Sequence, residues 1–291
     1  MSGIRTIPAL NFRTAVGLGR VSNLPTVWSN ALAGIVIAGG SVAVPQAAIV
    51  LIALSLLYSA GMFLNDAFDR EFDRAHRPER PIPAGQATAR AVFLAGFAQL
   101  ALGVALLAAC GVWAGVSGAA LAAVIVIYDA WHKGNPASPI LMGCCRLLAY
   151  VCAAAAVVQG VPDLVWICGL VCLCYLIGLT YIAKQETLQR IGNLWPLVFL
   201  VAPLIYGIAM SRGHPLAWIL TVALAVWVAV FVLRLLRLGK PAIPRTVISL
   251  IAGISLVDAL FAAGQGANGV AALAVASFAL TLALQRWVSG T

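Results

Sequence analysis

The chain has 291 residues, of which 63% are hydrophobic and only 9% carry a charged side chain. Its mean hydropathy is +1.01. Soluble domains contain about 25% charged residues, so this composition excludes a soluble globular protein and indicates a polytopic membrane protein. The net charge is +9. We nevertheless expect no nucleic-acid partner, because the sequence contains no basic segment with interleaved aromatic residues.

Ten apolar segments approach the length of about 20 residues that crosses a bilayer. They lie at residues 24–41, 45–64, 91–110, 112–128, 139–159, 163–182, 193–211, 215–234, 245–264 and 268–286. The sequence predicts an all-α membrane protein with nine to ten transmembrane helices in a single domain, residues 1–291, although the last two segments could include one that is re-entrant. If the N-terminus is cytoplasmic, 17 of the 18 Lys and Arg residues fall on the cytoplasmic side, which is the bias expected for inner loops.

The segment Leu64–Gly85 holds five of the nine acidic residues of the chain. Within it, Asn65, Asp66, Asp69 and Asp73 have the spacing N-D-x-x-D-x-x-x-D, which on a helix places the three carboxylates on one side. Clustered carboxylates repel one another unless a cation joins them, and Mg²⁺ suits an all-oxygen site that substrate phosphate completes. We therefore predict a Mg²⁺ site in this segment. The alternative is a solvated loop that only fixes the topology.

Basic residues accompany the acidic cluster. Arg74, Arg77 and Arg80 follow within it and are placed to hold an anion. In the next inner connection, Tyr128 ends a span and Lys133 follows five residues later. The hydroxyl is a hydrogen-bond donor and the ammonium is a point charge suited to phosphate, although a lysine beside a span is more often an anchor.

Two ionisable residues lie inside predicted spans. Asp258 lies well within the ninth segment and Arg146 about two turns into the fifth. An intramembrane ionisable group is a functional candidate by default, but Asp258 could equally pair with a neighbouring helix. The seven cysteines also lie in predicted spans, and none is spaced with His as metal ligands are, so we interpret them as packing residues.

With these motifs the chain resembles the UbiA superfamily of intramembrane prenyltransferases. The resemblance is carried by Asn65-Asp66-x-x-Asp69-x-x-x-Asp73, Arg77-Pro78-x-Arg80-Pro81-Ile82-Pro83-x-Gly85, Tyr128…Lys133 and Met142-Gly143-x-x-Arg146. The first two match the first Asp-rich motif of that family and its R-P-[IL]-x-x-G tail. The pair Tyr128 and Lys133 is similar to a Y-x-x-x-K element with one extra residue. The similarity extends from residue 20 to about residue 235.

The resemblance implies helices around a central cavity, in which Mg²⁺ holds the diphosphate of a polyprenyl donor and a small aromatic or other nucleophilic acceptor captures the allylic cation. It implies metal ligation by Asn65, Asp66, Asp69 and Asp73, catalytic roles for Asp66, Asp69, Lys133 and Lys184, and substrate binding by Arg77, Arg80, Tyr128, Arg146, Asn23 and Glu186. Arg20, Asn23 and Asn30 are placed to meet the acceptor or, equally, to cap and anchor the first span. The implied location is the bacterial plasma membrane, with the site on the cytoplasmic side.

One departure from the family pattern concerns its second motif, D-x-x-x-D, which should fall near residues 180–190. This chain has Tyr181-x-x-Lys184-Gln185-Glu186 there and no Asp. We infer that the second metal site is weakened or missing, and we hypothesise that Lys184 supplies the positive charge instead. The run Ala183–Glu186 resembles a divergent branch of the superfamily found in bacterial gene clusters of the ebo type.

Two further functions stay open at this point. One is phosphoribosyl transfer to a lipid phosphate, because the first motif alone does not exclude it. The other is a lipid-binding or transport protein that has kept the fold and lost catalysis, a reading that the altered second motif suggests. The sequence does not predict the acceptor, the length of the prenyl chain or the oligomeric state.

Overall fold

The computed structural model of the protein describes residues 11–185 and 193–288, and within these ranges helices are the only regular secondary structure. The α-helices are α1 (Phe12–Leu18), α2 (Leu24–Ile37), α3 (Pro45–Phe68), α4 (Arg70–His76), α5 (Ala89–Cys110), α6 (Val112–Trp131), α7 (Ser138–Val158), α8 (Asp163–Lys184), α9 (Ala202–Met210), α10 (Pro215–Leu238), α11 (Ile243–Gly264) and α12 (Asn268–Leu284). Short 3₁₀ segments precede α2, α9 and α11 at Val21–Asn23, Trp195–Val201 and Lys240–Ala242. The predicted all-α fold is confirmed.

Seven of these helices are long and apolar enough to cross a membrane: α3, α5, α6, α7, α8, α10 and α11. Three shorter apolar helices cover Val21–Ile37, Trp195–Met210 and Asn268–Leu284. The ten helical segments occupy the ten predicted positions. The chain is an integral membrane protein.

The two larger apolar cores of the described residues share two helices. One core joins α3, α5 and α6 to faces of α2 and α7. The other joins α8 to α12 to different faces of the same two helices. Helices α2 and α7 therefore stand in the middle of the bundle, between its two halves.

Four helices, α3, α6, α8 and α10, extend beyond the C-terminal ends predicted for them, and each extension carries polar or charged residues. Helix α3 continues through Phe68 instead of ending at Leu64, so Asn65 and Asp66 lie on its last turn. Helix α6 continues through Trp131, so Asp129 belongs to the helix rather than to a loop. Asn65, Asp66 and Asp129 are thus held on regular helices, whose backbone fixes their positions.

A buried polar contact joins three helices in the interior of the bundle. Asp258 of α11 is fully buried and accepts hydrogen bonds from Ser29 of α2 and Tyr150 of α7. The Ser29 hydroxyl also lies 3.0 Å from that of Ser255. A carboxyl group buried in a membrane protein needs such partners, so Asp258 is accounted for as a link between helices.

The contact between α2 and α7 is close because Gly34 has no side chain. A Cβ added at Gly34 would lie 3.0 Å from the Cα of Tyr150 and 3.1 Å from its carbonyl oxygen. Close approach of this kind is how small residues pack membrane helices.

We expect the substitution Gly34→Ala to lower the free energy of unfolding by about 1–3 kcal/mol, because the added methyl group pushes α2 away from the backbone of α7. Gly269→Ala is the matched control, since a Cβ there meets nothing within 4 Å. Unfolding in mixed detergent micelles measures both. Equal stability of the two variants would contradict close packing at Gly34.

Candidate active site

A cavity of about 470 Å³ lies at one end of the bundle, where α3, α6 and α8 end and α2, α7 and α11 begin. Polar and charged side chains from several helices meet at its mouth. They are Arg20, Asn23, Asn65, Asp69, Arg77, Tyr128, Asp129, His132, Lys133, Ser138, Arg146 and Lys184. Residues from five separate parts of the sequence therefore form one site.

The inner walls of the cavity are apolar. They include Val27, Leu54, Leu57, Leu121, Ile125, Ala149, Leu176, Leu179, Val247, Ile251 and Ile254. Leu54 precedes Asn65 by eleven residues on α3, which corresponds to roughly 16 Å along a helix axis. The cavity therefore joins a charged mouth to a deep apolar interior.

Among the three carboxylates of the Asp-rich motif, Asp69 is the one that lines the mouth of the cavity. Its Oδ2 lies 2.8 Å from Nζ of Lys133 and 3.4 Å from Nε2 of His132. Burial alone would raise the pKa of Asp69, but the hydrogen bonds and charges of His132 and Lys133 outweigh it and lower the pKa below its usual value. Asp69 is therefore ionised at neutral pH. The Lys133 ammonium also lies 3.7 Å from the centre of the Phe72 ring.

Asp66 makes different contacts, although it lies only three residues earlier. Its Oδ1 lies 3.3 Å from Arg20 and 3.4 Å from Arg80, and the residue is only 4% exposed. Arg20 lines the cavity, whereas Asp66 and Arg80 are not among the described residues that do so. The carboxylate of Asp66 thus holds Arg20 at the edge of the cavity.

Asp73 lies on α4 and is also 4% exposed. Its pKa is raised by burial and by the charges of Asp69 and Asp66, while Arg80 acts in the opposite direction. The three carboxylates of the motif therefore have different surroundings. They do not all face one point: Asp69 lines the cavity, whereas Asp66 and Asp73 are not among the described residues that line it.

The opposite side of the mouth carries two cations. Nζ of Lys184 donates hydrogen bonds to the carbonyl of Asn135 at 2.6 Å and to Oγ of Ser138 at 2.9 Å. Arg146 lies deeper and donates to the carbonyl and hydroxyl of Thr26 at 3.0 and 2.8 Å. Both lysine and arginine therefore have fixed positions facing the cavity.

The remaining predicted residues divide into three groups. Asn30 is buried in α2 and is not among the described residues that line the cavity. Asn23, Arg77 and Tyr128 line the cavity, and Asn23 accepts a 2.9 Å hydrogen bond from Gln285. Glu186 lies outside the described residues.

Three residues of the site, Asp129, His132 and Ser138, were absent from the sequence prediction. Asp129 and His132 both lie at the end of α6 and line the cavity. The signal that could have found Asp129 is its position: it is an acidic residue directly after an apolar span. His132 could have been noticed from its spacing of three residues from Asp129, but its contact with Asp69 depends on the tertiary structure.

The donor set at the mouth fits a hard cation. Asn65, Asp69 and Asp129 offer oxygen atoms, which is the ligand type that Mg²⁺ prefers. In the described part of the chain, no three Asp, Glu, His or Cys side chains are grouped tightly enough to enclose one ion. A site of this kind binds Mg²⁺ through one or two carboxylates, with water and substrate phosphate completing the coordination.

The structure thus defines a helical membrane protein with a charged mouth above an apolar cavity. The chain belongs to the UbiA prenyltransferase family, whose sequence model matches residues 27–192, more than half of the chain. The predicted membership in this superfamily is confirmed.

Three relatives illustrate the similarity. The digeranylgeranylglyceryl phosphate synthase of Natronomonas pharaonis is 32% identical over 125 residues, which are 43% of this chain and 45% of that protein. A solved UbiA homolog from Aeropyrum pernix K1 has a TM-score of 0.67 at 18% identity and covers 81% of this chain and 96% of that one. A UbiA homolog from Archaeoglobus fulgidus bound to GPP and Mg²⁺ has a TM-score of 0.53 at 16% identity and covers 88% and 99%.

The two kinds of similarity have different reach. The match to the synthase spans about half the length of that relative. The solved structures cover most of this chain at low identity and show the fold.

Proposed function

We propose that the protein transfers a prenyl group from a prenyl diphosphate to a nucleophilic acceptor in the membrane, with Mg²⁺ as cofactor. The observation that carries the proposal is the cavity itself, which joins cations and carboxylate ligands at its mouth to an apolar interior about three helical turns deep. A diphosphate with an apolar tail matches both parts.

Two sets of residues at the mouth interact with the diphosphate, one directly and one through Mg²⁺. Lys133, Arg77 and Lys184 bring positive charge to its oxygens, while Asn65 and Asp69 hold Mg²⁺ against them. When bound, Mg²⁺ stabilises the negative charge that develops on the leaving diphosphate. Because Asp69 already contacts Lys133, the lysine is positioned beside the metal site before the substrate arrives.

The apolar walls keep water away from the reactive intermediate. Loss of diphosphate from an allylic donor leaves a carbocation, which water would capture if it reached the cation. Leu57, Leu121 and Ile125 surround the space next to the polar mouth and exclude water from it. The prenyl chain extends past them towards Leu54.

The acceptor is a nucleophile that enters the same cavity. The name of the Natronomonas pharaonis relative indicates a glycerophosphate lipid product, so prenylated glyceryl phosphate joins small aromatic compounds as a candidate acceptor for this chain. Arg146 and Asn23 lie on the α2 and α7 side of the cavity, and we propose that they orient the acceptor there. The excess of Lys and Arg at this end of the bundle supports a cytoplasmic mouth.

The test is diphosphate release by the purified protein in phosphatidylcholine nanodiscs, with geranyl or geranylgeranyl diphosphate as donor, with and without Mg²⁺. Parallel reactions contain an aromatic acceptor or geranylgeranylglyceryl phosphate, and mass spectrometry identifies the product. We expect release that requires Mg²⁺ and a prenylated product from one acceptor class. Donor binding without release in every reaction would instead indicate a lipid-binding protein.

We propose that Lys184 replaces the charge of a second metal ion. The substitution Lys184→Ala is expected to slow diphosphate release at least about tenfold, because a cation facing the leaving group is lost. Lys240→Ala is the matched control, since Lys240 is an exposed lysine just before α11 and does not line the cavity. If Lys184→Ala left both the rate and the Mg²⁺ dependence unchanged, this role would be excluded.

A further inference from the structure

We propose that Asp129 is a metal ligand in this cavity and takes over the part of the Asp residues that the connection after α8 lacks. This inference rests on the proposed function and concerns the same Mg²⁺ site. The metal site would then have a carboxylate from α6 in addition to the motif at the end of α3.

The Asp129 side chain is buried, and only one of its two oxygen atoms has a hydrogen-bond partner among the described residues. The residue is only 3% exposed and lines the cavity. Its Oδ1 accepts a hydrogen bond of 3.3 Å from Nδ2 of Asn65. Its Oδ2 is buried and has no hydrogen-bond partner among the described residues. Buried carboxylate oxygens are normally paired, so an unpaired one on a residue that lines the cavity indicates a missing ligand.

A further argument is the position of Asp129 relative to the first motif. Asn65 and Asp69 are one helical turn apart and line the same cavity. Asn65 contacts Asp129 through its amide nitrogen, which leaves its oxygen as a further ligand. Three oxygen-bearing side chains from two helices thus meet at the mouth.

The basic side chains next to Asp129 in the sequence contact Asp69 instead. Lys133 and His132 follow Asp129 on the same stretch of chain, and both contact Oδ2 of Asp69. No salt bridge to Asp129 occurs within residues 11–185 and 193–288. Asp129 therefore has no cationic side chain paired with it among these residues, and its oxygen atoms suit a hard cation.

The experiment measures metal binding without turnover. Purified protein in phosphatidylcholine nanodiscs is titrated with Mn²⁺, alone and with inorganic diphosphate, and bound Mn²⁺ is followed by electron paramagnetic resonance against empty nanodiscs. The variants are Asp129→Asn, which keeps the shape and an acceptor for Asn65, and Asp129→Glu, which restores the charge. Asp163→Asn is the matched control, because Asp163 is an exposed carboxylate at the start of α8. Thermal unfolding establishes that each variant is folded.

We expect Asp129→Asn to weaken Mn²⁺ binding by about tenfold or more, Asp129→Glu to recover part of it, and Asp163→Asn to bind like the parent protein. Equal affinity of Asp129→Asn and the parent, with binding lost in Asp69→Asn, would overturn the role of Asp129 and leave the proposed function standing. Absence of Mn²⁺ binding by the parent in both titrations would overturn the inference and the Mg²⁺ site of the proposed function together.

Discussion

The substitution Asp69→Asn is expected to slow diphosphate release at least about a hundredfold. Asp69 is the motif carboxylate that lines the cavity, and its side chain is held by Lys133 and His132. Losing its charge weakens the Mg²⁺ site and frees the lysine from its fixed position. Metal ions contribute several kcal/mol to such transition states, and each 1.36 kcal/mol corresponds to about tenfold in rate.

The measurement is the rate of Mg²⁺-dependent diphosphate release at saturating donor. Glu71→Gln is the matched control, since Glu71 lies in the same segment but its side chain is 66% exposed and pairs with Arg74. An Asp69→Asn variant that releases diphosphate as fast as Glu71→Gln would exclude Asp69 from the catalytic site.

The substitution Asp258→Val is expected to lower the free energy of unfolding by about 2–4 kcal/mol. The valine removes the acceptor of the Ser29 and Tyr150 hydroxyls and leaves both donors buried without it. Asp258→Asn should retain part of the stability because it keeps one carbonyl oxygen. Unfolding in mixed detergent micelles measures both variants, with the exposed Asp163→Asn as reference.

The outcome also decides what Asp258 does. A large loss of stability with normal diphosphate release per folded molecule identifies it as a link between α2, α7 and α11. Normal stability with lost release would instead place the carboxyl in the chemistry and contradict the structural role.

The fold could be predicted from the sequence because the signal for a membrane helix is local. Each span is an apolar run of about the bilayer thickness, and the ends are marked by charged residues, Gly or Pro. Helix α3, for example, begins at Pro45 as predicted. At the ends of α3 and α6 the predicted spans were too short because Asn65 and Asp129, which continue the two helices, contact each other in the tertiary structure.

The candidate site was predictable only in part. The spacing of Asn65, Asp66, Asp69 and Asp73 identified the segment, and the cavity does contain Asn65 and Asp69. The sequence could not show that Asp66 pairs with Arg20, because the two are separated by 46 residues and meet only through packing of α1, which precedes Arg20, against α3. Asp129 was missed for a simpler reason: the predicted span ended one residue before it.

The two apolar cores have a mechanical consequence, because α2 and α7 belong to both. The two halves of the bundle cannot separate as rigid bodies unless one core loses its packing contacts with α2 or α7. We therefore expect a long-chain lipid substrate of the proposed kind to enter through motions of side chains and single helices at the rim, and a covalent bridge between α2 and α7 to leave its entry unimpaired.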